Sequence, residues 1–171
     1  MARPQLRDKH GLMDSPGVGS ENQLKQQDSH KEEDRCMSKT MLIIEDDVVS
    51  RDLLRMVFEY DDFHCVEAEN GAVGLTILQS QTFDVIILDN AMPVMTGLEF
   101  LAHKQRHPQQ SHAPIIMITG LLNPEVREKA TQSGAYAIVE KPYDLGELRS
   151  LVSQLSERSH SLPQEPSLLP K

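Results

Sequence analysis

The sequence predicts an α/β fold, a doubly wound parallel sheet of five strands with five helices, on three observations. Short apolar runs alternate with longer amphipathic stretches at a repeat of roughly 20–30 residues, the spacing of successive strand-plus-helix units. The runs Met41–Ile44, Val85–Leu88 and Ile115–Ile118 are apolar at consecutive positions, as strands are when helices cover both faces of a sheet. Acids, a hydroxyl and an ammonium follow directly on such runs, at the edge where sheets of this kind bind ligands.

Taken in order, Met41–Ile44 is the first strand, and a helix from about Val48 to Tyr60 carries Val49, Leu53, Met56 and Val57 as its apolar stripe. A second strand is expected near His64 to Ala68, then a helix from about Gly71 to Ser80 with Val73, Leu75, Ile77 and Leu78 available for burial. Val85–Leu88 is the third strand. Leu98, Phe100 and Leu101 mark a third helix, which ends in the region of Pro108 and Pro114 before the fourth strand, Ile115–Ile118. Pro124 suits the first position of a fourth helix. Ala137–Val139 is the fifth strand, and Leu145, Leu148, Leu151, Val152 and Leu155 form the apolar face of the fifth helix.

Residues 1–39 are rich in Gln, Ser, Asp, Lys and Gly without apolar periodicity and read as a disordered leader. Met37, just before the first strand, is a candidate start of translation that would leave this leader unmade; native peptides from Met1 to Arg35 would refute that. Residues 158–171, with Pro163, Pro166 and Pro170, read as a disordered tail. The folded domain is therefore expected over 40–157, with no output domain expected after it.

A chain of 171 residues suits one domain with loose ends. The leader up to Thr40 holds seven acids and seven bases, so the whole net charge of −9 falls on the remainder. An acidic body without a basic face does not match a nucleic-acid backbone, and 4% aromatic residues supply no stacking surface for single strands. Cys36 and Cys65 form neither a disulfide framework nor a metal-ligand spacing, which suits reduced thiols in the cytoplasm. No signal peptide or membrane-spanning run is present in the sequence. Proteins and metal ions are the expected partners.

The strand ends carry Glu45-Asp46-Asp47, Asp89-Asn90-Ala91, Thr119-Gly120 and Glu140-Lys141-Pro142. Each has an ordinary explanation taken singly: Asp46 and Asp47 as helix caps, Thr119 as a strand-end hydroxyl, Lys141 as a solvated charge. Gathered in one crevice, the carboxylates repel one another unless a cation neutralises them, and oxygen ligands alone favour Mg²⁺. An ionised Asp89 at the end of an apolar strand is costly unless its charge is used. As a nucleophile it would form an acyl phosphate, with Lys141 neutralising the phosphoryl oxygens and Thr119 donating a hydrogen bond.

Ile44-Glu-Asp-Asp47, Leu88-Asp-Asn-Ala-Met-Pro93 with Gly97, Ile118-Thr-Gly120 and Glu140-Lys-Pro-Tyr143 together resemble the response-regulator receiver family of two-component signalling, over about Thr40 to Glu157. The resemblance implies a flavodoxin-like sheet in the order 2-1-3-4-5. It implies phosphorylation at Asp89, Mg²⁺ held by Asp47, Asp89 and the main-chain carbonyl of Ala91, and a metal-bound water on Asp46. It further implies a cis Lys141–Pro142 peptide, and a backbone role for Gly97 in the loop after the acceptor. The phosphoryl donor would be a sensor histidine kinase or a histidine phosphotransfer protein. The downstream target would be a protein bound on the face of the fourth helix, fifth strand and fifth helix. The chain would act as a switch and not as a turnover enzyme.

Two departures from the family stand out. The aromatic switch position of the fifth strand is Ile138, with Tyr136 two residues earlier on the same side of an ideal strand. Ala91 and Leu121, two residues beyond Asp89 and Thr119, cannot orient a water, so slow self-dephosphorylation is expected. An aspartyl-phosphate hydrolase of the haloacid dehalogenase type is a rival reading, but it carries a second Asp where Ala91 stands. A flavodoxin-like cofactor binder lacks support because acids, not a glycine-rich phosphate loop, follow the first strand. A pseudo-receiver that merely binds protein does not need the intact acidic set.

Overall fold

The computed structural model describes residues 39–108 and 111–161. The apolar runs form strands β1 (Lys39–Ile44), β2 (Phe63–Ala68), β3 (Val85–Asp89), β4 (Ile115–Thr119) and β5 (Ala137–Glu140). Helices α1 (Val48–Tyr60), α2 (Gly71–Ile77), α3 (Gly97–Arg106), α4 (Pro124–Gln132) and α5 (Leu145–Ser161) alternate with them. All strand pairs are parallel, in the order β2-β1-β3-β4-β5. The expected flavodoxin-like topology is the one observed.

Alternation along the strands supplies both faces of the sheet. Met41, Ile43, Val85, Ile87, Ile116 and Ile118 pack with Leu54 and Phe58 of α1 and Leu148, Val152 and Leu155 of α5. Leu42, Ile44, Ile86, Leu88, Ile115 and Met117 pack on the other side with Leu75, Phe100, Leu101 and Ala130 from α2, α3 and α4. Each fully buried aliphatic or aromatic side chain contributes about 1.5–3 kcal/mol. The helices start immediately beyond the strands' carboxyl ends: Asp47 caps α1, Asn70 caps α2, Thr96 and Glu99 form a capping box on α3, and Asn123 caps α4 ahead of Pro124.

Helix α1 spans the expected residues but buries a different face. Leu54 and Phe58 are fully buried, whereas Val49 is 76% exposed, Met56 56% and Leu53 42%. Two apolar stripes compete on this helix, and the one carrying the large Phe58 ring enters the core, where it meets Phe63 edge to face. With this face inward, Arg55 on the same helix pairs with Glu67 of β2 at 2.7 Å. In α2, Leu75 and Leu78 are buried and Val73 is on the surface.

Two boundaries move. Lys39, expected in the leader, opens β1, and α5 continues through Ser161, beyond the expected domain end at 157. Pro163 is the first residue past the helix that lacks a backbone donor, and the residue before a proline disfavours helix, so four further residues fit. The rest of the expected leader and tail, residues 1–38 and 162–171, lies outside the described residues, as does Cys36. No helix among the described residues is long and apolar enough to cross a membrane.

Candidate phosphoacceptor and metal site

The register decides which strand-end residues meet. Ile44 lies beside Leu88, so the next residue on each strand, Glu45 and Asp89, are neighbours at the carboxyl edge. Asp89 in turn lies beside Ile118, and Thr119 beside Glu140, which brings Lys141 to the same crevice. Lys141 N–H donates to the Thr119 carbonyl at 2.8 Å, and the Lys141–Pro142 peptide is cis, as expected. The ammonium of Lys141 donates to Asp89 Oδ1 at 2.7 Å and to Glu45 Oε2 at 2.8 Å. Asp89 Oδ2 accepts the Ala91 N–H at 2.6 Å.

Carboxylate oxygens of Glu45, Asp46 and Asp89 lie within 4.8 Å of one another. Glu45 and Asp89 are buried, at 2% and 3% exposure. Burial holds the Glu45 carboxyl above the usual range, and the Asp89 charge adds to this; the Lys141 hydrogen bond opposes both. Burial alone would lower the Lys141 ammonium, but its bonds to Asp89 and Glu45 outweigh burial and raise it. Three acids face one ammonium, and the surplus of negative charge on hard oxygen donors fits a divalent cation such as Mg²⁺.

The fold places the expected metal ligands unequally. Asp47 does not join the cluster: its Oδ1 accepts the Ser50 N–H at 2.8 Å as the cap of α1, and that bond holds its carboxyl below the usual range. Glu45 is the third acid of the cluster. The signal that would have found Glu45 is strand length, since Met41–Ile44 and Val85–Leu88 end in register and the next residue on each is an acid. Asp46 belongs to the cluster as expected. Thr119 is 1% exposed, with its hydroxyl donating to the Leu121 carbonyl and accepting the Leu121 N–H, both at 3.3 Å, in its own turn.

Gly97 shows why the loop after Asp89 needs a glycine. A Cβ there would lie 2.6 Å from the Asp89 carbonyl oxygen and 2.9 Å from Asn90 Cα, so α3 approaches the Asp89 backbone closely. The Gly97 N–H donates to the Asn90 carbonyl at 3.1 Å and Leu98 N–H to Asn90 Oδ1 at 3.2 Å. Leu121 and Tyr136 are exposed, whereas Ile138 packs against the cluster of Met117 and Ala130. Tyr143, half-buried beside Lys141, has its hydroxyl pushed up by burial.

Residues 41–153 match the model of the response regulator receiver domain. The chain is 30% identical over 122 residues to the probable transcriptional regulator ycf29 of Pyropia yezoensis, covering 71% of this chain and 55% of that protein. It thus spans about half the length of the curated relative it matches. The structure is similar to the chemotaxis protein CheY4 of Vibrio cholerae, with a TM-score of 0.64, 28% identity, and coverage of 69% of this chain and 98% of that one. The receiver domain of the sensor histidine kinase PA1611 from Pseudomonas aeruginosa PAO1 has the same fold, with a TM-score of 0.64, 20% identity, and coverage of 70% and 98%. That domain was solved with a magnesium ion coordinated in its active-site cleft. With its five parallel strands in the order 2-1-3-4-5 and this match, the chain belongs to the response regulator receiver domain family of two-component signalling.

Proposed function

We propose that this chain is a response-regulator receiver that accepts a phosphoryl group on Asp89 from a histidine of a sensor kinase or phosphotransfer protein, and signals by protein–protein binding. The observation that carries this reading is the Asp89 carboxylate, buried at the strand edge between the Lys141 ammonium at 2.7 Å and the acids Glu45 and Asp46. A carboxylate oxygen of Asp89 attacks phosphorus, the bond from phosphorus to the donor nitrogen breaks, and the imidazole leaves with the electron pair. The Ala91 N–H on Oδ2 fixes the carboxylate plane, so the attacking lone pair is oriented before the donor arrives. Lys141 is within reach of the incoming oxygens, and Thr119 reaches them by exchanging its bond to the Leu121 carbonyl for one to the phosphoryl group. Mg²⁺ held by Glu45, Asp46, Asp89 and the Ala91 carbonyl would supply neutralisation of the charge that phosphorylation adds.

The switch would then act on the face of α4, β5 and α5, read by a downstream protein. Ile138, in place of an aromatic residue, leaves that rearrangement to helix packing. The acidic body supports protein partners over nucleic acid, cysteines without a disulfide framework suit a cytoplasmic setting, and membership of the receiver family supports a role as switch instead of turnover enzyme. The receiver comprises residues 40–157 together with Lys39 of β1 and the end of α5.

The test is incubation of the full chain with a small phosphodonor and Mg²⁺, followed by intact mass. Native protein gains the mass of one phosphoryl group and Asp89→Asn does not. Equal gain in both, or none in native protein, refutes the assignment.

A further inference from the structure

The carbonyl oxygens of Glu45 and Asp46 lie past the last residue of β1, Ile44, and before the first of α1, Val48. Neither sheet nor helix supplies them a donor, and at Glu45, which is buried, a carbonyl without one is costly; Asp46 is more exposed. Arg51 supplies it. Its Nη1 donates to the Glu45 carbonyl at 2.7 Å and to the Asp46 carbonyl at 3.3 Å. Its Nε lies 3.4 Å from Glu67 Oε2, and the side chain is 14% exposed. Glu67 sits beside Ile43 in the β1–β2 register, so the guanidinium spans from α1 across the sheet edge to the acidic turn.

The Glu45 N–H is bonded to the Ala68 carbonyl at 3.1 Å, so the main chain of this residue is pinned on both sides. Arg51 therefore touches the backbone of both acids and leaves their carboxylates free to converge on Asp89. A planar fork with several donors can hold a carbonyl pair and a carboxylate together; a lysine ammonium is a single point of contact on a flexible stem.

We propose that Arg51 is a positioning residue for the cation site, presetting the turn from which Glu45 and Asp46 reach the metal. This inference rests on the reading of Glu45, Asp46 and Asp89 as Mg²⁺ ligands. Removing a group that orients metal ligands costs about 10–100-fold in affinity. Arg51→Lys keeps the charge and loses the fork, so the low end of that range is expected.

The experiment is calorimetric titration of Mg²⁺ into the full chain, with circular dichroism at the same temperature to confirm folding. Arg51→Lys is expected to bind Mg²⁺ about tenfold more weakly than native protein. Arg55→Lys is the control: Arg55 also pairs with Glu67, at 2.7 Å, but its contacts are with side-chain carboxylates and not with the acidic turn. It should bind Mg²⁺ with native affinity. If Arg51→Lys does not fold, Glu67→Gln, which frees the far end of the guanidinium, is read instead and should weaken binding in the same direction. Native affinity in the variant that is read overturns the inference, as does equal weakening in Arg55→Lys, which would mean a general loosening of α1 on β2. Native protein that binds no Mg²⁺ overturns this inference together with the metal site beneath it, whereas unaffected variants of a protein that does bind overturn the inference alone.

Discussion

Replacing Lys141 by Met keeps the aliphatic stem and removes the one ammonium that stands between two buried carboxylates. The side chains of Glu45 and Asp89 are each 3% exposed, while that of Lys141 is 31% exposed. Breaking a buried pair by removing one partner costs about 3–5 kcal/mol, and an exposed pair contributes about 0–1 kcal/mol. With the acids inside and the ammonium partly solvated, a loss of about 2–3 kcal/mol is expected. For a folded region of this size that corresponds to roughly 6–12 °C in Tm. The loss should depend on pH with a defined sign. Burial already holds Glu45 above its ordinary pKa of 4.5, and removing Lys141 raises it further. A carboxyl whose folded pKa exceeds its unfolded value makes the native state bind the extra proton, so stability is regained as pH falls through the folded pKa. Thermal denaturation in metal-free buffer across a pH series measures both effects. A variant as stable as native protein at neutral pH, or a deficit that widens on acidification towards 4.5, would refute this reasoning.

Two further substitutions test the site's construction. Gly97→Ala puts a methyl 2.6 Å from the Asp89 carbonyl oxygen, where backbone must yield, so a loss of about 1–3 kcal/mol in urea denaturation and slower phosphoryl uptake by intact mass are expected; native values on both would mean that the loop yields freely. Asp47→Ala removes the cap of α1 and should cost about 0.5–2 kcal/mol while leaving Mg²⁺ affinity unchanged, whereas Glu45→Gln should weaken Mg²⁺ binding. Calorimetry and melting curves on the pair decide whether Asp47 or Glu45 serves the metal.

The strands were readable because each is apolar at consecutive positions, and the site because its chemistry collects at one sheet edge. Asp89, Thr119 and Lys141 follow directly from strand ends. The pair Glu45 and Asp47 was not separable by type, since both are acids beside Asp46; the separation comes from register, which aligns Ile44 with Leu88, and from the Ser50 N–H that claims Asp47. The buried face of α1 was misread because Val49, Leu53 and Met56 repeat at helical spacing as well as Leu54 and Phe58 do. Periodicity finds a stripe but does not choose between two, and the choice falls to the bulk of Phe58 packed against Phe63. The role of Arg51 was invisible in sequence because its partners are main-chain carbonyls, which carry no residue signature.

The two-sided packing of the sheet has a consequence for how disturbance spreads. Ile43 and Ile44 are joined by a single peptide bond yet belong to opposite compartments, one shared with α1 and α5 and the other with α2, α3 and α4. The strands form a bulkhead between them. A void opened near Phe58 and another near Phe100 should act as independent insults whose costs add, because no side chain is common to both hollows. The bulkhead ends where the strands end, and the acids stand on that rim. A change in either compartment that tilts the sheet is felt there, so the surroundings of Asp89 can respond to strain from both sides while the two interiors remain strangers to each other.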